Sequence, residues 1–121
     1  MGGLVSPEIG LGPGQGLWLN LGVRVIALST IKSFSRKQGV EDAREPLLAW
    51  YGQVHHADWA KPADVKRDVR SVSILKDGRA VFNIAGNKYR IVVWINYTYR
   101  TVYIRFIGTH SQYDAIDAQK I

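Results

Sequence analysis

The chain contains no cysteine. That excludes disulfides, a thiolate nucleophile and every cysteine-ligated metal site, and it suits a reducing compartment. Histidine is scarce too, with three in 121 residues. Two of them, His55 and His56, are adjacent, but neighbours on a helix point about 100° apart and rarely share an ion. No H-x-x-x-H spacing occurs, so no metal and no cofactor are expected. No apolar run approaches the ~20 residues that a membrane-spanning helix needs. The first basic residue is Arg24, so the N-terminus lacks the charged start of a secretory signal. A cytoplasmic protein with no membrane partner is the expectation. The nucleophile elbow G-x-S-x-G and the phosphate loop G-x-x-x-x-G-K are missing as well, which argues against those hydrolases and nucleotidases.

What is there is positive charge and a sharp change of composition. Residues 1–22 hold seven Gly, two Pro and a single charge, Glu8. Such a segment has little to bury, and it reads as a disordered leader or a mis-assigned start. Its glycines miss the G-x-G-x-x-G spacing of a dinucleotide loop. Val23 is a candidate initiator, since valine codons include a bacterial start codon. The other 99 residues, 23–121, read as one domain and carry 16 Lys and Arg against 9 Asp and Glu, a net of +7. A basic surface of this kind favours a polyanionic partner such as nucleic acid.

The stretch from Arg79 to His110 organises the domain. It alternates apolar and polar residues as three consecutive strands, with turns at Gly86–Asn87 and Asn96–Arg100. One face of the middle strand carries Tyr89, Ile91, Val93 and Ile95; the other carries Lys88, Arg90, Val92 and Trp94. In the last strand Val102, Ile104 and Phe106 fall on one face and Thr101, Tyr103 and Arg105 on the other. Side chains alternate across a strand, so the pattern describes a half-buried sheet with a cationic second face. Before it, residues 23–28 read as a strand. A basic helix follows, capped by Ser29 or Thr30 and running to about Gln38. A second helix covers about 41–57, with Pro46 in its first turn and an apolar stripe of Leu47, Leu48, Trp50, Tyr51 and Val54. Residues 61–66 suggest a short helical turn opened by Pro62. Residues 72–75 read as a strand that enters a hairpin through Asp77–Gly78. A short helix over 109–121 ends the chain. This order implies an α+β fold: an antiparallel twisted sheet, two N-terminal helices packed on one face, and a short C-terminal helix.

Five runs carry a resemblance: RVIALST at 24–30, LLAWY at 47–51, FNIAGNKYR at 82–90, VYIRFIGTH at 102–110, and Tyr113–Asp114. Together they resemble the HigB toxins of the RelE-like superfamily, nearly continuously over residues 23–121 and not over the leader. The resemblance implies an mRNA interferase of a type II toxin–antitoxin module. It implies an endoribonuclease that cuts mRNA during translation in the ribosomal A site and so inhibits translation. The implied partners are mRNA, the ribosome and a HigA-type helix-turn-helix antitoxin, with DNA reached only indirectly through that antitoxin. Carried over by position, Arg90 contacts the scissile phosphate. His110 stands where relatives place a Lys, Arg or His, and Tyr113 lies near a functional tyrosine.

The chemistry suits these side chains. Cleavage by the 2′-OH needs its proton removed, the pentavalent phosphate stabilised and the leaving 5′-oxygen protonated. A guanidinium matches phosphate oxygens and stays charged, which suits Arg90. Imidazole titrates near neutrality, which suits His110 as the acid. Tyr113 is read as a base-stacking or phosphate-donating residue, and Asp114 as a base in an electrostatically awkward place. Lys88, Arg105, Arg79 and Trp94 are the expected RNA contacts. The alternative reading is a non-catalytic RNA- or ribosome-binding module, or a degenerate toxin that serves only as an antitoxin partner in DNA repression.

Overall fold

The computed structural model describes residues 22–121. The expected leader, apart from Gly22, lies outside the described residues. The elements run β1 (Arg24–Ile26), α1 (Leu28–Ser35), a single 3-10 turn (Glu41–Ala43), α2 (Arg44–His55), α3 (Pro62–Asp68), β2 (Ser73–Ile74), β3 (Arg79–Ile84), β4 (Tyr89–Asn96), β5 (Thr101–Thr109) and α4 (His110–Asp114). The strands form one sheet in the order β1-β5-β4-β3-β2. β2 to β5 are an antiparallel meander, as the alternation predicts. β1 instead lies parallel to β5, pairing Arg24–Ile26 with Thr101–Tyr103, so the sheet is mixed at that edge. A parallel pair needs a long crossover, and everything from α1 to β4 supplies it.

Local chemistry sets the element ends. The Asp77–Gly78 turn has φ of 56° and 77°, the two left-handed residues of the hairpin turn that matches sheet twist. Pro46 is the third residue of α2 and Pro62 the first of α3, where a missing N–H costs no ladder bond. The expected cap of α1 is corrected. Its N-cap is Ala27, with no side-chain bond, and Ser29 and Thr30 sit exposed inside the first turn. The helix also stops at Ser35 rather than near Gln38. The Ser35 hydroxyl turns back onto the Lys32 carbonyl at 3.3 Å, a bond that competes with the helical ladder.

The main core lies between the helices and one face of the sheet. Ile31, Phe34, Leu47, Trp50 and Val54 from the helices meet Phe82, Tyr89, Ile91, Val93 and Val102. Trp50 packs edge-on to Phe82 at 5.5 Å, and Trp59 stacks on Phe82 at 6.1 Å. The aromatics of α2 and its following loop are thus core, and the stripe read from the sequence points where expected.

The second face departs from the alternation. Val93 pairs with Ile104 and Val92 with Phe106, so Arg105 is an extra residue bulged out of β5. A bulge shifts the parity of everything beyond it. Phe106, expected beside Val102 and Ile104, is instead on the opposite face, and Ile107 takes its place in the main core. A second, smaller cluster forms there. Val81, Val92 and Ala118 are buried, with Leu75, Phe106, Tyr113, Ile116 and Ile121 packed against them. The segment after β5 therefore crosses the middle of a face expected to be open. Its far end is held by Gln119, whose side chain exchanges two 2.8 Å bonds with the Lys76 backbone, and by Arg79 Nε, which donates to the Ile121 oxygen at 2.9 Å.

Candidate nucleic-acid interface

The site is built where β4 and β5 meet α4. Arg90 on β4 stands opposite Asn83 of β3 and Gly108 of β5. A side chain at Gly108 would require Phe106 and Gln112 to move. A Cβ would come within 2.5 Å of the Phe106 ring and 2.8 Å of Gln112 Oε1. Gln112 occupies that space because α4 starts with a capping box. The Thr109 hydroxyl accepts from Gln112 N–H at 3.2 Å, and Gln112 Oε1 accepts from Thr109 N–H at 2.9 Å. This clamp joins strand to helix with no slack and so fixes where His110 and Tyr113 stand. Gln112 escapes the alternation argument, yet its signal is in the sequence: Thr109-x-x-Gln112 is the capping-box spacing.

Arg90 is half-buried and its Nη1 donates to Asn87 Oδ1. Its guanidinium carbon lies 5.5 Å from the centroid of the Tyr113 ring, within cation–π range. Among the described residues no carboxylate pairs with Arg90, so its charge stays available. One turn of helix carries the other two groups. His110 and Tyr113, three apart, lie on neighbouring positions of α4. His110 Nδ1 is 3.1 Å from Asp114 Oδ2, and both side chains are about half exposed or more, at 45% and 60%. The His110 backbone N–H donates to the Lys88 carbonyl at 3.2 Å, tying the helix start to the head of β4.

The structure therefore sets Arg90 against Tyr113 and places His110 on the same short helix as that ring. It separates Lys88 from them. β4 begins at Tyr89, and the Lys88 ammonium reaches the Asp42 carboxylate of the 3-10 turn, on the helix side. The Tyr89 hydroxyl donates to the same carboxylate. The Lys88 ammonium, then the Tyr89 hydroxyl, hold Asp42 below the ordinary aspartate range; Asp42 in turn raises Lys88. Tyr89 is raised first by its bond to Asp42 and then by burial. Lys88 is thus committed to holding the 3-10 turn to the sheet, which removes it from the Arg90 face where alternation had put it.

Arg79 and Trp94 are register partners at the other end of the second face. Trp94 stacks on Tyr103, with centroids 5.0 Å apart and planes 20° from parallel. Arg105 is exposed on its bulge, and its side chain has no ion pair with any described residue. The His55–His56 pair holds no metal arrangement. His55 Nδ1 meets the Val23 carbonyl at 3.2 Å and His56 Nδ1 the Gly52 carbonyl at 2.8 Å. Among the described residues no group of three or more His, Cys, Asp or Glu is placed to hold a metal ion. None of their helices is long and apolar enough to cross a membrane.

The family model HigB_toxin, described as the RelE-like toxic component of a toxin–antitoxin system, matches residues 43–116, more than half of the chain. The chain belongs to this family. Its α+β fold, with N-terminal helices against a twisted sheet, is consistent with the RelE-like fold. The match spans α2, the whole meander and α4, so every residue of the Arg90 cluster lies within it. Among curated proteins none matches the chain. As the toxic component of a HigB-type system, the protein has an antitoxin as its general partner.

Proposed function

We propose that this HigB-type toxin is an mRNA interferase, an endoribonuclease that cleaves translated mRNA on the ribosome in the cytoplasm and is neutralised by a HigA-type helix-turn-helix antitoxin. The observation that carries the reading is the setting of Arg90. A guanidinium held by an amide oxygen and an aromatic ring, with no carboxylate among the described residues, keeps its charge for a phosphate.

In this reading the scissile phosphate sits against Arg90. The 2′-oxygen attacks phosphorus as its proton passes to solvent water, and the bond from phosphorus to the 5′-oxygen breaks as that oxygen takes a proton from the His110 imidazolium. The fragments carry a 2′,3′-cyclic phosphate and a 5′-hydroxyl. Arg90 stabilises the charge that builds on the equatorial oxygens. Asp114 accepts from Nδ1–H of His110, which leaves the other ring nitrogen to serve the reaction. His110 delivers the proton to the 5′-oxygen. Tyr113 fixes the Arg90 plane and offers its hydroxyl to the phosphate. The ribosome supplies the in-line alignment of the mRNA, a contribution of the kind that positioning makes to any intramolecular attack. Arg79, Arg105 and Trp94 bind the flanking chain. No metal or cofactor enters this scheme.

The test is to map mRNA 5′ ends by primer extension a few minutes after inducing the full chain, beside Arg90→Ala. New ends within translated regions that vanish in the variant support the reading. A soluble wild-type protein that generates no new ends overturns it and leaves a non-catalytic RNA-binding module or an antitoxin-only partner.

A further inference from the structure

The second face has an aromatic end that neither hydrophobic cluster uses. Trp94 and Tyr103 are half-buried, stacked at 5.0 Å, and belong to neither the main core nor the small cluster under the tail. Ile26 is the register partner of Tyr103 and is likewise outside both clusters. Across β3, β4, β5 and β1 the row therefore reads Arg79, Trp94, Tyr103, Ile26. Two further arginines flank it. Arg24, two residues before Ile26 in β1, is exposed, and Arg105, two residues after Tyr103 in β5, is exposed on the bulge. Neither has an ion pair with a described residue. The nearest turn contributes one acid, the exposed Asp77 beside Gly78. Gly78 also seats the indole. A Cβ at this position would lie 3.0 Å from Trp94 Nε1 and 2.7 Å from the Ile95 carbonyl.

An aromatic pair outside the core costs the fold exposed apolar surface and gains it little packing. Stacked rings fringed by guanidinium groups are what a single-stranded nucleic acid needs, a π-face for a base and cations for its phosphates. Trp94 is four residues from Arg90 on the same face of β4, about 13 Å along the strand. The tail residues over Val92 rise between them. The two places are therefore distinct contacts on one face, one at the reacting phosphate and one beyond the ridge.

We propose that Trp94 and Tyr103, with Arg24, Arg79 and Arg105 around them, form a stacking platform for one unpaired nucleobase of the RNA, outside the reaction centre. The proposal rests on the mRNA interferase reading above. Base stacking tolerates any base, so the platform anchors RNA without choosing its sequence.

The test measures affinity of the full chain for a fluorescent, uncleavable 2′-O-methyl RNA hexanucleotide, by anisotropy, alongside copies abasic at each position in turn. We expect Trp94→Ala to weaken binding about tenfold or more, Tyr103→Ala to do the same, and Trp94→Phe to retain most of the affinity. One abasic position should cost the wild type as much as Trp94→Ala does and cost Trp94→Ala nothing further. The salt slope should stay unchanged in all three aromatic variants, since no phosphate contact is removed. A wild type that cuts mRNA, with Trp94→Ala and Trp94→Phe both binding as wild type and no abasic penalty, overturns the platform alone. Loss of antitoxin capture in Trp94→Ala with unchanged RNA affinity overturns it too and makes the patch a protein interface. A wild type that neither binds the hexanucleotide nor cuts mRNA overturns the platform together with the function it rests on.

Discussion

His110 and Asp114 face each other one turn apart on α4, with Nδ1 3.1 Å from Oδ2. The spacing is the i,i+4 geometry of a helix surface, and both residues are exposed enough to meet a substrate. The consequence is orientational. A carboxylate that accepts from one ring nitrogen fixes which nitrogen faces outward.

Replacing Asp114 by Ala removes that restraint and leaves the imidazole. If His110 is the acid, its own loss should reduce cutting by about 10²–10⁴, the usual contribution of a positioned acid or base. Asp114→Ala should cost less than His110→Ala, and the double variant should cost no more than His110→Ala alone. Rates of mRNA cleavage in a translating extract check this. Additive losses would mean that Asp114 acts on the RNA independently of His110.

The Thr109–Gln112 capping box predicts a second outcome. Thr109→Ala removes the side-chain acceptor for the Gln112 N–H and should destabilise the fold by about 1 kcal/mol. It also frees α4, which carries His110 and Tyr113. Activity should therefore fall further than stability alone explains. The comparison is chemical denaturation beside cleavage at a temperature where the variant is fully folded. Thr109→Ser, which keeps the acceptor, should restore both.

Much of this arrangement was legible in the sequence, and the failures have identifiable causes. Asp77–Gly78, Pro46 and Pro62 announced their turns and helix starts because each has a conformational constraint of its own. The alternation in β4 placed Arg90 and Val92 opposite Ile91 and Val93 correctly. It failed at Arg105, because an extra residue in one strand is invisible to a period of two. That failure moved Phe106 to the wrong face and concealed the small cluster beneath the tail. Lys88 was misplaced for a related reason. It lies just before β4 begins, where parity no longer holds, and it has a carboxylate in reach on the helix side. Of the candidate site, Arg90, His110 and Tyr113 came from resemblance; the placing of His110 and Tyr113 on one short helix came from the capping box, a tertiary consequence of a four-residue signal.

The Asp42 cluster yields a pH prediction. Asp42 lies below its ordinary range because Lys88 and then Tyr89 bond its charged form. A carboxylate lowered on folding stabilises fully above its unfolded pKa, and this is lost as pH falls through the folded value. Lys88 and Tyr89 are raised. Their share is present below their unfolded pKa values and is lost as pH rises through the folded ones. The cluster should therefore contribute between the aspartate range and the tyrosine and lysine range, roughly pH 4 to 10. Asp42→Ala should lower Tm at pH 7 by more than at pH 3. An equal difference at both values would show that the contacts are packing and not charge.

The tail over the second face predicts the last outcome. Residues 115–121 are held by few anchors: the Gln119 bonds to Lys76, the Arg79 bond to the Ile121 oxygen, and packing of Ile116, Ala118 and Ile121 on Val81, Val92 and Phe106. Phe106 is only half-buried, so truncation should cost about half of a fully buried phenylalanine, on the order of 2 kcal/mol. The loss falls on one side of the sheet, because Phe106 contributes to the small cluster and not to the main one. Phe106→Ala should therefore leave α2, β3 and β4 protected while hydrogen exchange speeds up over residues 113–121. Uniform loss of protection would mean that the two faces unfold as one unit. Faster exchange confined to the tail should go with slower RNA cleavage, since Tyr113 is anchored in the same cluster and bears on Arg90.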